Sequence, residues 1–326
     1  MKYDIRQAAQ ALISQLKAID YERLPISKYN KRYIARLKPV LSYYMKIYAD
    51  CLLKGLESIG SSPEEITLID YGGGSGFLSI LAKQAGIGRV IYIDLNPDSV
   101  NTIRILKELV NTGPDIILHD TLADWCSANK VKPQLLIATD LIEHVYDLSA
   151  FFANLVAIDN KMQMLFTTAS TPFNPYVKRR LHRLMTIWEK EYYALRLHYI
   201  QLHFPALSPA EAKEAARKTR GLTFPHIHKA VKTGSYPLLK DAFNTCDPRN
   251  GNWTERILPI ETYRSLAKPF GYQVRIGKGF YNTDRSNPIS TFICLGINGL
   301  IRISGKAGFL FAPFITLHLQ SDNKGR

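Results

Sequence analysis

Sulfur is scarce in this chain. Its four cysteines, Cys51, Cys126, Cys246 and Cys294, stand far apart and form no C-x-x-C pair. They are expected as reduced, mostly buried thiols of a cytoplasmic protein, not as a disulfide framework. Long apolar runs are missing too. None reaches the ~20 residues needed to span a bilayer, and the opening MKYDIRQAAQ has no signal-peptide core. Wholesale disorder is excluded by a hydrophobic content of 46% over 326 residues, enough for a sizeable core. Acid is in short supply in one half only. Residues 1–150 hold 17 Lys+Arg and 17 Asp+Glu; residues 151–326 hold the other 25 and 11, and so the whole net charge of +14. Solubility alone accounts for such charge, but its asymmetry favours an anionic partner: phosphate, RNA or an acidic membrane surface.

What the chain does have is a glycine cluster between two apolar runs. Ile66 to Ile69 ends in Asp70; Gly72, Gly73, Gly74 and Gly76 follow; Phe77, Leu78, Leu81 and Ala85 repeat at helical spacing; Val90 to Ile93 ends in Asp94. This is strand, tight turn, helix, strand, the first βαβ unit of an open α/β sheet. Such a turn needs backbone angles that a Cβ forbids. It lets a ligand lie on bare backbone at the positive end of the next helix. Asp94 stands where a carboxylate accepts hydrogen bonds from ribose hydroxyls. The dinucleotide pattern G-x-G-x-x-G/A fails here, because Phe77 occupies the third glycine's place.

The spacing that fits is acid-x-G-x-G-x-G over Asp70, Gly72, Gly74 and Gly76. It resembles motif I of the class I S-adenosylmethionine (SAM)-dependent methyltransferases. The resemblance implies a Rossmann-like, seven-stranded, doubly wound α/β sheet, with SAM held by the glycine turn, Asp94 and the adjacent Leu95. It also implies an acid after the third strand, here Asp120, facing adenine. Trp125 is nearby, either stacking on the base or packed on the surface. The fourth strand, Gln134 to Thr139, ends in Asp140-Leu-Ile-Glu143-His144-Val145. That segment resembles the E-x-x-E-H of ubiquinone-biosynthesis O-methyltransferases and small-RNA 2′-O-methyltransferases. By this resemblance Asp140, Glu143 and His144 face the acceptor, Asp140 also borders the cofactor, and His144 is the candidate general base. In those relatives the side chains can hold a divalent metal. Here a full metal site would need at least one more ligand from elsewhere, for which His226 and His228 are the closely paired histidines left, an i, i+2 pair suited to one face of a strand or a loop; two satisfied surface histidines are the commoner reading.

The remaining elements are expected in order. Residues 1–62 hold N-terminal helices, one over Ile5 to Leu16 and a longer one from Pro39, which either brace the first strand or cover the cofactor. The SAM-binding core covers 63–175. Its fifth strand, Met162 to Thr167, leads to Thr171-Pro172-Phe173-Asn174, which resembles a turn over the methyl-transfer position and makes Asn174 a candidate substrate contact. A helical insertion follows over 176–252, with a basic start at Lys178, Arg179, Arg180 and Arg183 and a capped helix at Ser208-Pro209. It is expected to cap the pocket and to offer phosphate-binding helix ends. Residues 253–296 are expected to supply the last helix and a closing hairpin, with strands at Gln273 to Ile276 and Ser290 to Leu295. The apolar tail, 297–326, is expected to pack on the core, form an interface or lie on a bilayer surface.

Together these features predict a SAM-dependent methyltransferase, with oxygen of a small or lipid-linked metabolite as the preferred acceptor. Two alternatives stay open: an RNA methyltransferase using the basic half, although nothing resembles an RNA-recognition module, and a non-catalytic binding protein of the same fold.

Overall fold

In the computed structural model, which describes residues 5–238 and 241–321, three helices precede the first strand. They are α1 (Ile5–Ala18), α2 (Lys28–Leu37) and α3 (Leu41–Ile59). Four βα steps and a fifth strand follow: β1 (Thr67–Tyr71), α4 (Phe77–Gln84), β2 (Arg89–Ile93), α5 (Pro97–Leu109), β3 (Ile116–Leu118), α6 (Leu122–Ala128), β4 (Leu135–Thr139), α7 (Leu148–Ile158) and β5 (Gln163–Thr168). The insertion is α8 (Pro175–His203), α9 (Pro209–Lys218) and α10 (Phe224–Thr233). The chain closes with α11 (Ile260–Ala267), β6 (Tyr272–Lys278), α12 (Pro288–Ile303), a 3₁₀ segment over Gly305–Leu310 and β7 (Ile315–Ser321).

The seven strands form one sheet in the order β3-β2-β1-β4-β5-β7-β6, parallel from β3 to β5 and antiparallel at β7 and β6. Alternate residues feed opposite layers, as the pleat requires. Leu68, Val90, Tyr92, Leu135 and Ile137 pack with α1, α3, α4 and α5. Ile69, Ile91, Leu136, Ala138, Met164 and Phe166 pack with α6, α7 and α11. Helices on both faces make this the expected Rossmann-like, doubly wound α/β fold. Strand order reverses at β1, which lies between β2 and β4, so the ligand crevice of such a sheet opens over the carboxyl ends of these strands.

The chain's end departs from expectation. Ser290 to Leu295 is not a strand but part of α12. Asn287 caps that helix, its side chain accepting from the N–H groups of Ile289 and Ser290, and Pro288 takes the first position, where its missing donor is harmless. The closing hairpin is therefore β6 with β7, and β7 comes from the expected apolar tail. Its residues Ile315, Leu317 and Leu319 are buried between β5 and β6.

Helix α2 was not anticipated. Ser27 caps it, and Asn30 occupies a position on its buried stripe, donating to Thr102 Oγ1 at 2.9 Å. A buried bond of this kind contributes ~1 kcal/mol, and it fastens α2 to α5. The N-terminal helices both brace and cover: α1 and α3 pack against α4, and α2 carries Tyr33 over the glycine turn.

Candidate functional site

The crevice is built first from backbone. Gly76 caps α4 in the left-handed region at φ 75°, and a Cβ there would lie 2.1 Å from Ile103 Cδ1. Gly74 also has positive φ, 53°, but a Cβ there would meet only Tyr33, no nearer than 3.7 Å. Gly76 thus serves packing, whereas Gly74 leaves open room for a ligand. Beneath the turn, Tyr92 Oη donates to the Gly74 carbonyl at 2.7 Å.

The two motif acids divide their labour. Asp70 is buried, and its Oδ2 accepts from Ser79 N–H at 3.0 Å and Ser79 Oγ at 2.7 Å. It ties β1 to α4 from below the turn. Burial pushes its carboxyl up to about 7, with the two Ser79 hydrogen bonds offsetting part of the rise. Asp94 stands at the crevice edge. Its Oδ2 accepts from Gly74 N–H and its Oδ1 from Asn96 N–H, each at 2.8 Å. Each oxygen retains a lone pair, so the carboxylate is oriented and still able to accept from two hydroxyls. Leu95 is 68% exposed beside it, and its carbonyl lies 2.9 Å from His119 Nε2. Asp120 is exposed at the end of β3. Trp125 packs on the α6–α7 layer, which is the surface-packing reading.

Facing the turn, Asp140 follows β4 in the left-handed region at φ 50°, a conformation Asp tolerates better than most residues. Asp140 is solvent-exposed at the carboxyl end of β4. Glu143 is 1% exposed, and its Oε2 has no hydrogen-bond partner. Burial first, then the Asp140 and Glu255 carboxylates, push Glu143 well above the usual carboxylate range; Thr168 offsets part of this. Asp140 is raised too, by desolvation and Glu255, with His144 pulling the other way. Glu255, held by Ser170 Oγ at 2.6 Å, is a third carboxylate that the sequence did not single out. His144 has a defined tautomer. Its Nδ1 lies 2.7 Å from the Trp253 carbonyl, and a carbonyl only accepts, so Nδ1 carries the proton and Nε2 of the neutral ring is bare.

Tyrosines roof the crevice. Tyr33 Oη stands over Gly74, and burial first, then Tyr44, Asp140, Tyr29 and Asp94, raise its phenol. Tyr44 is raised by burial and Asp140, with Arg180 at the start of α8 lowering it. These residues lie outside any motif; their signal is an N-terminal run of tyrosines on helical spacing.

Other expected residues do not join the site. His226 and His228 lie on α10, where an i, i+2 pair points about 200° apart. They are not on one face. His226 Nδ1 meets Tyr146 Oη and Thr223 Oγ1, whereas His228 packs against Phe204 and His203. Among the described residues no group of three His, Cys, Asp or Glu side chains is arranged to hold a metal ion. Asn174, buried, caps α8 and donates to the Ala312 carbonyl at 3.0 Å, so its polar groups serve the fold.

No family model matches the chain. It is similar to ribosomal protein L11 methyltransferases, at 55% identity over 38 residues for the protein of Burkholderia mallei (12% of this chain, 13% of that protein) and 36% over 58 residues for that of Cupriavidus pinatubonensis (18% and 20%). The chain therefore spans at most a fifth of the length of these curated relatives. Among solved structures it is similar to a magnesium protoporphyrin IX methyltransferase of Synechocystis PCC 6803 with bound SAH (14% identity, 84% of this chain and 81% of that one, TM-score 0.38). It is also similar to a SAM-dependent methyltransferase of Archaeoglobus fulgidus (15%, 86% and 100%, TM-score 0.38). The curated relatives are named as methyltransferases, in keeping with the family that the glycine motif resembles.

Proposed function

We propose that this protein is a SAM-dependent methyltransferase acting on a hydroxyl oxygen of a small or lipid-linked acceptor. One juxtaposition carries the proposal. A bare-backbone cradle with a pre-oriented carboxylate, Gly74 and Asp94, follows the carboxyl ends of β1 and β2, and His144, a histidine whose free nitrogen is fixed by its other hydrogen bond, follows the carboxyl end of the neighbouring β4.

The cofactor supplies a sulfonium-bound methyl group that is already electrophilic, so the chain's tasks are alignment and proton removal. Asp94 holds the nucleoside end, and the open face of Gly74 admits the rest. His144 Nε2 takes the proton of the acceptor hydroxyl. Asp140 stabilises the imidazolium that results and accepts a second hydrogen bond from the acceptor. Glu143, pushed toward its neutral form, donates from a carboxyl rather than adding charge. Tyr33 and Tyr44 exclude water from above.

The L11 methyltransferases are named for a protein acceptor, but the matched stretch is short, and the basic insertion over this crevice favours a different, anionic molecule. The test is methyl incorporation from labelled SAM into hydroxyl-bearing acceptors. His144→Gln should lower kcat by about 10²–10⁴ and leave SAM affinity within twofold. Equal losses of affinity and rate would remove His144 from the base role.

A further inference from the structure

Helix α12 has two apolar sides, and the protein covers one of them. Cys294 and Ile301 are buried, and Ile297 is half-buried, against the molecule. On the opposite side Ile289, Phe292, Ile293, Leu300 and Ile303 recur at spacings of three, four and seven, the period of one continuous stripe. They are 69%, 78%, 54%, 48% and 78% exposed. Gly296 and Gly299 in the same stripe have nothing near them, so the strip is smooth and open for about 24 Å at 1.5 Å per residue. A helix apolar all round is ordinarily covered all round, and exposed patches this large mark a surface for something else.

The strip has neighbours of the same kind. Leu310 and Phe311 follow it, both exposed. Phe309 packs on Phe173 with ring centres 5.1 Å apart, and Ala312 accepts from Asn174, the cap of α8. The first turns of α8 thus join the same region, and they expose Tyr176, Leu184, Ile187 and Trp188 among Lys178, Arg179, Arg180 and Arg183.

Charge selects the occupant. From Arg285 to Ser321 the chain has no Asp or Glu, while Arg285, Arg302 and Lys306 are exposed around the strip. An apolar strip with an aromatic and mainly cationic rim, in which the exposed Asp284 beside Arg285 is paired with Lys46, is complementary to an anionic lipid surface, where acyl chains take the apolar groups and headgroups take the cations. A second copy of the chain would instead set these cations against one another. The helix is anchored well enough to transmit docking: Asn298 pairs both ways with the backbone of Tyr281, and Lys278 Nζ bonds the carbonyls of Ile301 and Gly305.

The surface also adjoins the site. A cavity of about 630 Å³ runs between Ser290 and Asn287 at the start of α12 and Tyr43 and Tyr44 on α3, and Tyr44 is one of the residues roofing Asp140. The geometry points to α12, with the 3₁₀ segment after it and the start of α8, as a docking surface for an anionic bilayer, on which the protein lies flat with its crevice at the membrane's edge.

The test is co-sedimentation of the full chain with sucrose-loaded vesicles, phosphatidylcholine alone or with 30% phosphatidylglycerol, beside light scattering for mass and calorimetry for SAM. The wild type should bind the anionic vesicles at least about tenfold better than the neutral ones. Phe292→Asp with Ile303→Asp, and separately Arg302→Gln with Lys306→Gln, should each cut that binding about tenfold with unchanged SAM affinity. These side chains are exposed, so loss of fold is not expected, and Leu300→Ser, milder still, should give an intermediate loss. Absence of vesicle binding by the wild type would overturn the inference. So would binding that survives loss of Phe292 and Ile303, or a dimer in solution that those substitutions abolish without any vesicle binding. Vesicle binding requires no methyl transfer, so its failure and failure of the proposed activity are read separately.

Discussion

Two glycines of the same turn should respond differently to the same substitution, one mainly in stability and the other mainly in ligand affinity. In Gly76→Ala the new Cβ meets Ile103 at 2.1, 2.5 and 3.0 Å, and Ile103 is fully buried on α5. Left-handed backbone costs a residue with a Cβ ~1–2 kcal/mol, and forcing a methyl into a filled core adds ~1–3 kcal/mol. The expected destabilisation is about 2–5 kcal/mol. Gly74→Ala carries only the backbone strain, because its Cβ finds nothing but Tyr33 at 3.7 Å; it should cost ~1–2 kcal/mol. Its methyl group, however, fills the space where a ligand would approach bare backbone. SAM affinity should fall at least ~tenfold, or 1.4 kcal/mol. Urea unfolding without ligand measures the first quantity, and calorimetric titration of the folded variants measures the second. Equal destabilisation by the two substitutions, or unaltered SAM affinity in Gly74→Ala, would refute the division of roles.

Further tests follow from buried charge. Asp70, ordinarily near 3.8, is pushed up to about 7 in the fold, so the folded state holds a proton that the unfolded state has lost. Stability from this group is complete below about pH 4 and is lost as pH rises through about 7, by at most ~4 kcal/mol at 1.36 kcal/mol per unit. Asp70→Asn should flatten the fall in urea midpoint between pH 4 and 8; an undiminished slope would assign the pH dependence elsewhere. Arg196 is fully buried, donating to Glu189 at 2.5 Å and to the Ala216 carbonyl at 3.0 Å. Arg196→Met leaves the Glu189 carboxylate short of its partner and should cost ~3–5 kcal/mol. Faster hydrogen exchange in α9 with unchanged SAM affinity would place that loss in the insertion, and a fall in SAM affinity would contradict it.

How much of this was legible in the sequence follows from how local each signal is. The glycine turn, Asp70, Asp94 and the β4 acids sit in one short segment each, where spacing and strand ends determine their position. Helix α2 was hidden because Asn30 breaks its apolar stripe, and Asn30 is satisfied by Thr102, a partner 72 positions away. Ser290 to Leu295 satisfies a strand and a helix equally well; the Asn287-Pro288 cap decides for the helix. The place of β7 between β5 and β6 depends on pairings across some 150 residues, which no local pattern encodes. The site shows the same divide. His144 and Glu143 could be named from a motif. Glu255 and the Trp253 carbonyl reach them only through the fold.

The most direct test of the account is calorimetric titration of the purified protein with SAM and, separately, NADH, each with and without Mg²⁺, repeated with Asp94→Ala. The account predicts that SAM binds without added metal, that NADH does not, and that Asp94→Ala weakens SAM binding at least ~tenfold while the urea midpoint holds. NADH binding, or SAM binding indifferent to Asp94, would contradict it.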